Sequence, residues 1–228
     1  MRRLFPLFLA PVIGAIAVGI LLLACTSSSD AEDAPTVNAT SSIERSVADT
    51  ATFAGGCFWC MEPPFDKIDG VSSTTSGFAG GEMQNPSYRQ VASGATKHTE
   101  TVQVIFDSTK VSYERLLRVY WHNIDPFDGS GQFCDRGSQY RPAIFVHSEA
   151  QRRLAEQSKM IVSDRFEQPI AVNIHSYDAF FPAEENHQNY YQKNPGHYKR
   201  YRRGCGRDAR LTAIWGDAAG TDGALAVK

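Results

Sequence analysis

Along much of the chain the sizeable apolar residues recur with one of two periods. Val102, Val104 and Phe106 fall at every second position, as do Ile170, Val172 and Ile174, the spacing of strands with one buried face. Ala143, Ile144, Phe145 and Val146 run without a polar break, as in a strand covered on both faces. Between these stretches the spacing turns helical: Leu116, Leu117, Tyr120 and Ile124 share one helix face, and Ala150, Leu154, Ser158 and Ile161 share another. Ser148 and Gln151 stand where a capping box would satisfy the free N–H groups of that second helix's first turn. A further strand, residues 50–54, runs into Gly55-Gly56. The pattern predicts an α+β domain, a mixed sheet with helices packed on it.

The first residues fit neither period. Arg2 and Arg3 precede an apolar run from Leu4 to Ala24, the layout of an export signal, and the run ends in Leu22-Leu23-Ala24-Cys25, which resembles a bacterial lipobox. Residues 1–24 are therefore expected to be removed as a lipoprotein-type signal peptide, leaving Cys25 as an acylated first residue. The alternative is an uncleaved anchor, since the run is just long enough to span a bilayer. Either way the rest of the chain is expected in the periplasm or cell envelope, membrane-anchored. Residues 25–49, rich in Ser, Ala, Thr and Asp, bury too little to fold and read as a flexible tether with a reach of about 25–30 Å. Residues 216–228 are Gly/Ala-rich and read as a disordered tail. That leaves one domain, residues 50–215, with no repeat and no second break in composition. Lys and Arg number 23 against 25 Asp and Glu, scattered rather than clustered, so nothing in the charge points to nucleic acid.

Gly55-Gly56 permit a tight turn after the first strand, and Pro63-Pro64 fall near the first turn of a helix, so Cys57 is placed at a helix N-terminus. Free N–H groups and the helix dipole stabilise a thiolate there, which predicts a lowered thiol pKa and a nucleophilic sulfur. By spacing alone, Cys57-x-x-Cys60 fits a structural disulfide, a thioredoxin-like redox pair, or half of a zinc site completed by Cys134 and Cys205. Neither of those two has a second ligand at a metal-like spacing.

Residues 55–60 read Gly-Gly-Cys-Phe-Trp-Cys, followed by Glu62, Pro64-Phe65, Gly70-Val71 and Gly77-Phe78-Ala79-Gly80-Gly81. This run resembles the nucleophile region of the A-type peptide-methionine (S)-S-oxide reductases. The likeness continues through residues 85–88, 98–100, 132–141 and 181–188 and so spans essentially the whole domain in order. It implies a two-layer ferredoxin-like sandwich with a long irregular C-terminal segment. It also implies an oxidoreductase acting on the S epimer of free or protein-bound methionine sulfoxide, which for an exported chain means repair of oxidised envelope proteins.

In that family pattern Cys57 attacks the sulfoxide sulfur, releases methionine and is left as a sulfenic acid. Glu100 matches the acid, a carboxyl kept protonated by burial; without the motif it reads as an exposed carboxylate at the start of a strand. Tyr88 and Tyr140 match hydroxyls that bond the sulfoxide oxygen, and Asp135 matches the carboxylate that holds a water. Phe58 and Trp59 match the apolar wall that receives the S-methyl group. Taken singly, the aromatic residues read as packing and Asp135 as turn chemistry.

Turnover needs a second cysteine to resolve the sulfenic acid as a disulfide, which an external dithiol then opens. The best-known branch carries that cysteine shortly after Lys-Asn-Pro. Here Lys193-Asn194-Pro195 is followed only by Cys205, farther along and flanked by arginines. Cys205 is ranked slightly ahead of Cys60, one helical turn from Cys57, and of Cys134, beside Asp135. The expected donor is a membrane-delivered, thioredoxin-like protein; no bound cofactor and no metal are assigned, and a monomer is expected. His98, beside Glu100, invites a Cys–His pair, but the reaction needs an acid rather than a base. His175, His187 and His197 are not at metal-like spacing. The competing function is a general thiol-disulfide oxidoreductase using Cys57 and Cys60.

Overall fold

The computed structural model describes residues 48–225; the expected signal peptide, Cys25, the expected tether up to residue 47, and residues 226–228 lie outside the described residues. The elements run β1 (Ala48–Ala54), α1 (Phe58–Asp66), β2 (Val71–Ala79), α2 (Tyr88–Ala92), β3 (Thr99–Asp107) and α3 (Tyr113–Trp121). A small hairpin follows, β4 (Gly131–Gln132) and β5 (Asp135–Arg136), then β6 (Ala143–Val146), α4 (Glu149–Phe166), β7 (Asn173–Ser176) and β8 (Phe180–Pro182). The chain closes with α5 (Tyr190–Lys193), α6 (Pro195–Gly204) and α7 (Arg207–Trp215).

Six strands form one sheet in the order β7-β6-β1-β3-β2-β8. The β6–β7 pair is parallel and the other pairs are antiparallel. One face carries the core. Phe53 of β1 stacks on Phe65 of α1 and on Tyr120 of α3, each at 5.2 Å, and Trp121 donates its indole N–H to the Ser158 hydroxyl of α4 at 2.9 Å. Val102, Val104 and Phe106 point into that core, as the period of two requires. The result is the α+β fold expected from the pattern, a mixed sheet with helices packed on it.

Four details differ. The residues 170–174 alternation yields strand only from Asn173, because the Ala171 N–H is committed to the Pro126 carbonyl at 2.8 Å rather than to a ladder. Along α4 the buried stripe is Gln151, Ala155, Ser158 and Val162, which shares Ser158 with the face read in the sequence and otherwise lies one position on from it. The C-terminal segment expected to be irregular is wound into the short helices α5, α6 and α7. The residues of α5 and α6 are polar and aromatic, so no aliphatic period announced those two helices. Finally, residues 216–225 are not a loose tail. Arg115 pairs with Asp222 at 2.7 Å, the Gly220 N–H bonds the His122 carbonyl at 2.9 Å, and Leu225 packs on the core. Among the described residues no helix is long and apolar enough to cross a membrane.

Candidate active site

At the C-terminal end of β1 the chain turns through Gly55-Gly56, with Gly56 at φ +82°. A Cβ at Gly55 would lie 2.6 Å from the Met61 sulfur, and one at Gly56 would lie 2.6 Å from Gln132 Cβ. Only glycines let the turn seat this closely. Cys57 then occupies the N-cap of α1, its residue 5% exposed, with Cys60 one turn along and 1% exposed.

Register brings an acid to this thiol. Phe78 of β2 lies opposite Glu100 of β3, and Phe78 packs on Phe58 with ring centroids 6.0 Å apart. Glu100 is 1% exposed and one carboxyl oxygen accepts the Phe58 N–H at 3.1 Å. Burial pushes its pKa up to about 8, against the lowering effect of the Phe58 hydrogen bond, so the carboxyl is largely protonated at neutral pH.

The two thiols interact directly. Burial raises Cys57 well above the ordinary thiol range, and its hydrogen bond with Cys60 and the charges of Cys60, Glu100 and Asp135 add to this. Cys60 is held at about 6, first by the hydrogen bond from Cys57 and then by Arg207 and Arg202 working against burial. The lowered pKa expected of Cys57 from its helix position is therefore corrected. The pair gives up one proton readily, and Cys60 carries the charge while Cys57 donates to it.

Tyr88, Tyr140 and Asp135 all converge here. Burial raises the pKa of each phenol, and the charges of Glu100, Cys57 and Asp135 reach both. Burial also raises Asp135, opposed by the Tyr201 hydroxyl, Arg207 and Arg136. Phe58 packs against Tyr88 at 6.1 Å and His187 at 5.6 Å, while Trp59 stacks flat on Tyr190 at 3.8 Å.

Sequence reasoning missed several members of the site. Tyr201 donates its hydroxyl to Asp135 at 2.6 Å, hydrogen-bonds Cys57 and sets its ring edge-on to Trp59. Arg207 is 1% exposed and reaches back to the nucleophile turn, donating to the carbonyls of Gly55 at 3.0 Å and Asn123 at 2.8 Å and to the Met61 sulfur. The legible signal was the spacing of His197, Tyr201 and Cys205, every fourth residue after Pro195. His98 is not a base: Nδ1 accepts the Gly81 N–H and Nε2–H donates to the Met83 carbonyl, so both ring nitrogens hold backbone. His187 and His197 both flank Trp59, whereas His175 stacks on Phe145 elsewhere.

Of the three candidates to resolve Cys57, only Cys60 is a free thiol. Cys134 and Cys205 are bonded to each other, with Cα atoms 4.8 Å apart, so half of the four-cysteine zinc set considered above is a disulfide. A cavity of about 520 Å³ elsewhere, lined by Pro63, Arg115, Tyr198 and Arg202 among others, includes neither Cys57 nor Glu100.

A thiol pair faced by a protonated carboxyl and phenols can pass two electrons to a substrate and protonate the oxygen that leaves it, the equipment of a thiol-dependent oxidoreductase. The sequence matches the family model for peptide methionine sulfoxide reductase over residues 49–219. It is 49% identical to peptide methionine sulfoxide reductase MsrA of Listeria innocua over 167 residues, 72% of this chain and 94% of that protein. With MsrA of Bacillus licheniformis the identity is 50% over 168 residues, 73% of this chain and 93% of that one. Among solved structures, Mxr1 of Saccharomyces cerevisiae in reduced form superposes with a TM-score of 0.63 at 30% identity, covering 65% of this chain and 87% of that one. Methionine sulfoxide reductase A of Corynebacterium diphtheriae gives 0.59 at 32%, covering 65% and 76%. The chain belongs to the peptide methionine sulfoxide reductase family and is an oxidoreductase of the A type.

Proposed function

We propose that the enzyme reduces the S epimer of free or protein-bound methionine sulfoxide through a sulfenic acid on Cys57. The observation that carries this reading is the buried Glu100 carboxyl, with a pKa of about 8, held by the Phe58 amide next to the nucleophile. A sulfoxide sulfur accepts a thiolate only when its oxygen is protonated or strongly hydrogen-bonded. Cys57 shares its proton with the Cys60 thiolate. Transfer of that proton to Cys60 leaves the thiolate on Cys57, at the helix N-terminus.

Cys57 sulfur then bonds to the substrate sulfur while Glu100 delivers its proton to the oxygen, with Tyr88 and Tyr140 donating to that oxygen. The hydroxyl passes to Cys57 sulfur as methionine departs, so the substrate gains two electrons and the cysteine loses two. Asp135, oriented by Tyr201, holds the water that returns a proton to Glu100. Phe58 and Trp59 form the apolar wall for the S-methyl group, which favours contact with aromatic rings.

The rate of methionine formation from each resolved epimer, with wild type and Glu100→Gln, tests the reading. Turnover of the S epimer that collapses in Glu100→Gln is expected; equal turnover of the R epimer, or an unaffected variant, rules it out. A general thiol-disulfide oxidoreductase would instead reduce insulin disulfides, and would do so with Glu100→Gln.

The enzyme works in the cell envelope as a monomer anchored through acylated Cys25, repairs oxidised envelope proteins, and takes electrons from a thioredoxin-like dithiol protein. The lipobox-like run ending at Cys25 supports the location. Lipid labelling that persists in Cys25→Ser would remove that support.

A further inference from the structure

Arg202, Arg207 and Arg210 lie close together in the chain but are matched with charge in different ways. Arg202 pairs with Asp208 at 2.6 Å and Arg210 with Asp125 at 2.7 Å. Arg207, between them, is 1% exposed and makes no ion pair with a carboxylate among the described residues. It donates instead to the carbonyls of Gly55 and Asn123, at 3.0 and 2.8 Å, and to the Met61 sulfur at 3.1 Å, with the Phe133 ring centroid 4.4 Å from its guanidinium carbon. A guanidinium keeps its proton at any working pH, so this is a permanent charge taken out of water. Carbonyls solvate such a charge without neutralising it, and a buried cation calls for an anion.

The nucleophile turn can supply one. Met61 follows Cys60 directly and Gly55 stands shortly before Cys57, so the guanidinium straddles the segment that carries both free thiols. We propose that Arg207 is a positioning residue, the counter-ion of the thiolate shared by Cys57 and Cys60, and that it keeps this charge on the Cys60 side of the pair. The remaining proton then stays on Cys57, the sulfur that meets the substrate. The inference deepens the sulfoxide-reductase reading of Cys57 and rests on that reading for its effect on rate.

Cys60 is faced by Cys57 from the turn, Glu100 from β3, Asp135 from β5, Tyr198 and Arg202 from α6, and Arg207 from α7. Burial keeps Glu100 and Tyr198 in their uncharged forms at neutral pH, so neither offsets a thiolate. Arg202 already answers Asp208. Arg207 thus brings the uncommitted charge, and it acts on Cys60 more strongly than Arg202 does. Arg207 also lowers Asp135, the other anion it could serve. The two partners are separable: Asp135 raises the Cys60 pKa whereas Arg207 lowers it, so removing them should shift the thiol in opposite directions.

The test follows the ultraviolet absorbance of thiolate against pH in the reduced full-length chain with Cys25, Cys134 and Cys205 replaced by serine, so that the inner pair alone titrates. The first proton should leave near pH 6, about one unit higher in Arg207→Met, near pH 6 again in Arg207→Lys, and lower in Asp135→Asn. With the native cysteines, methionine formation from the S epimer in a single turnover at pH 6 should be roughly fivefold slower in Arg207→Met and recover toward pH 8. Lysine restores the charge but not the fork, so Arg207→Lys should lose melting temperature while keeping the titration. Equal loss of stability in both variants with neither titration moved would mean packing alone and overturn the proposal.

Should Arg207→Met fail to fold, the anion can be read in the wild type. A thiol more acidic in the folded than in the unfolded chain contributes stability above the unfolded pKa, near 9, and loses it as pH falls through about 6. Reduced wild type should therefore gain melting temperature from about pH 6 to about pH 9 relative to Cys57→Ser/Cys60→Ser. Absence of that gain would leave Arg207 without its anion and overturn the proposal equally. Titrations as expected, with no methionine from either epimer even in dithiothreitol, would sink the sulfoxide reading and leave the counter-ion standing.

Discussion

The two walls of the site are held by different forces. Cys57, Phe58 and Glu100 stand on α1 and β3, are each 5% exposed or less, and sit against the apolar core. The facing wall carries Tyr190, Tyr201 and Cys205 on or beside α5 and α6, helices in which no residue is fully buried. Polar contacts fasten it: Arg207 reaches the nucleophile turn, Glu62 accepts the Asn189 N–H at 3.3 Å, Arg202 pairs with Asp208 at 2.6 Å, and one disulfide closes the edge. Apolar burial is indifferent to pH and redox state, whereas carboxyl hydrogen bonds and disulfides are not. The acid and nucleophile are thus fixed while the wall that closes over them is adjustable.

The largest effect is expected on the fixed wall. Glu100→Gln keeps an oxygen for the Phe58 N–H but loses the proton, and kcat should fall about 10²–10³-fold with little change in melting temperature. Wild-type activity should also decline above about pH 8, as the carboxyl ionises, and the variant should lack that descending limb. A comparable loss of stability with the loss of rate would show that burial there is structural only.

Arg207→Ala probes the fastening of the other wall. It strands buried carbonyls at Gly55 and Asn123, and urea denaturation should show a loss of about 3 kcal/mol. Tyr201→Phe removes only the hydroxyl shared by Asp135 and Cys57. We expect kcat to fall about tenfold with the fold intact, equivalent to about 1.4 kcal/mol. An unchanged rate would place Tyr201 in packing alone.

The smallest effect is a matter of pH. Burial raises Glu62 to about 7, so the folded state keeps a proton that the unfolded chain loses near pH 4.5. Stability from this group is fully present below about 4.5 and falls as pH rises to about 7, the direction linkage requires when the native state binds more protons. Glu62→Gln should leave melting unchanged near pH 4.5 and raise it by about 2–4 °C at pH 8. A difference that does not depend on pH would show that the native carboxyl is already ionised.

Much of the fixed wall was legible because its patterns are local. Gly-Gly-Cys at a strand end gives a turn and a capped helix, and the alternation Val102, Val104, Phe106 extended back one step puts Glu100 on the core side of β3. That step was there to be read and argues against an exposed carboxylate. The adjustable wall was not legible to the same degree. α6 buries no residue fully, so it lacks the apolar period from which helices are recognised, and its contacts join residues far apart in the chain. The Cys57 pKa was misjudged for a related reason: a helix N-terminus is local, but the burial and the carboxyl groups that oppose it come from β3 and the β4–β5 hairpin.

Of the three tryptophans, Trp121 and Trp215 are at most 2% exposed in the core, while Trp59 is only half-buried, its ring face against Tyr190 of the adjustable wall. An indole stacked on a phenol at 3.8 Å emits differently from one facing water. The enzyme therefore contains its own optical gauge, the colour of Trp59 fluorescence reading out whether its contact with Tyr190 of the helical cover is made.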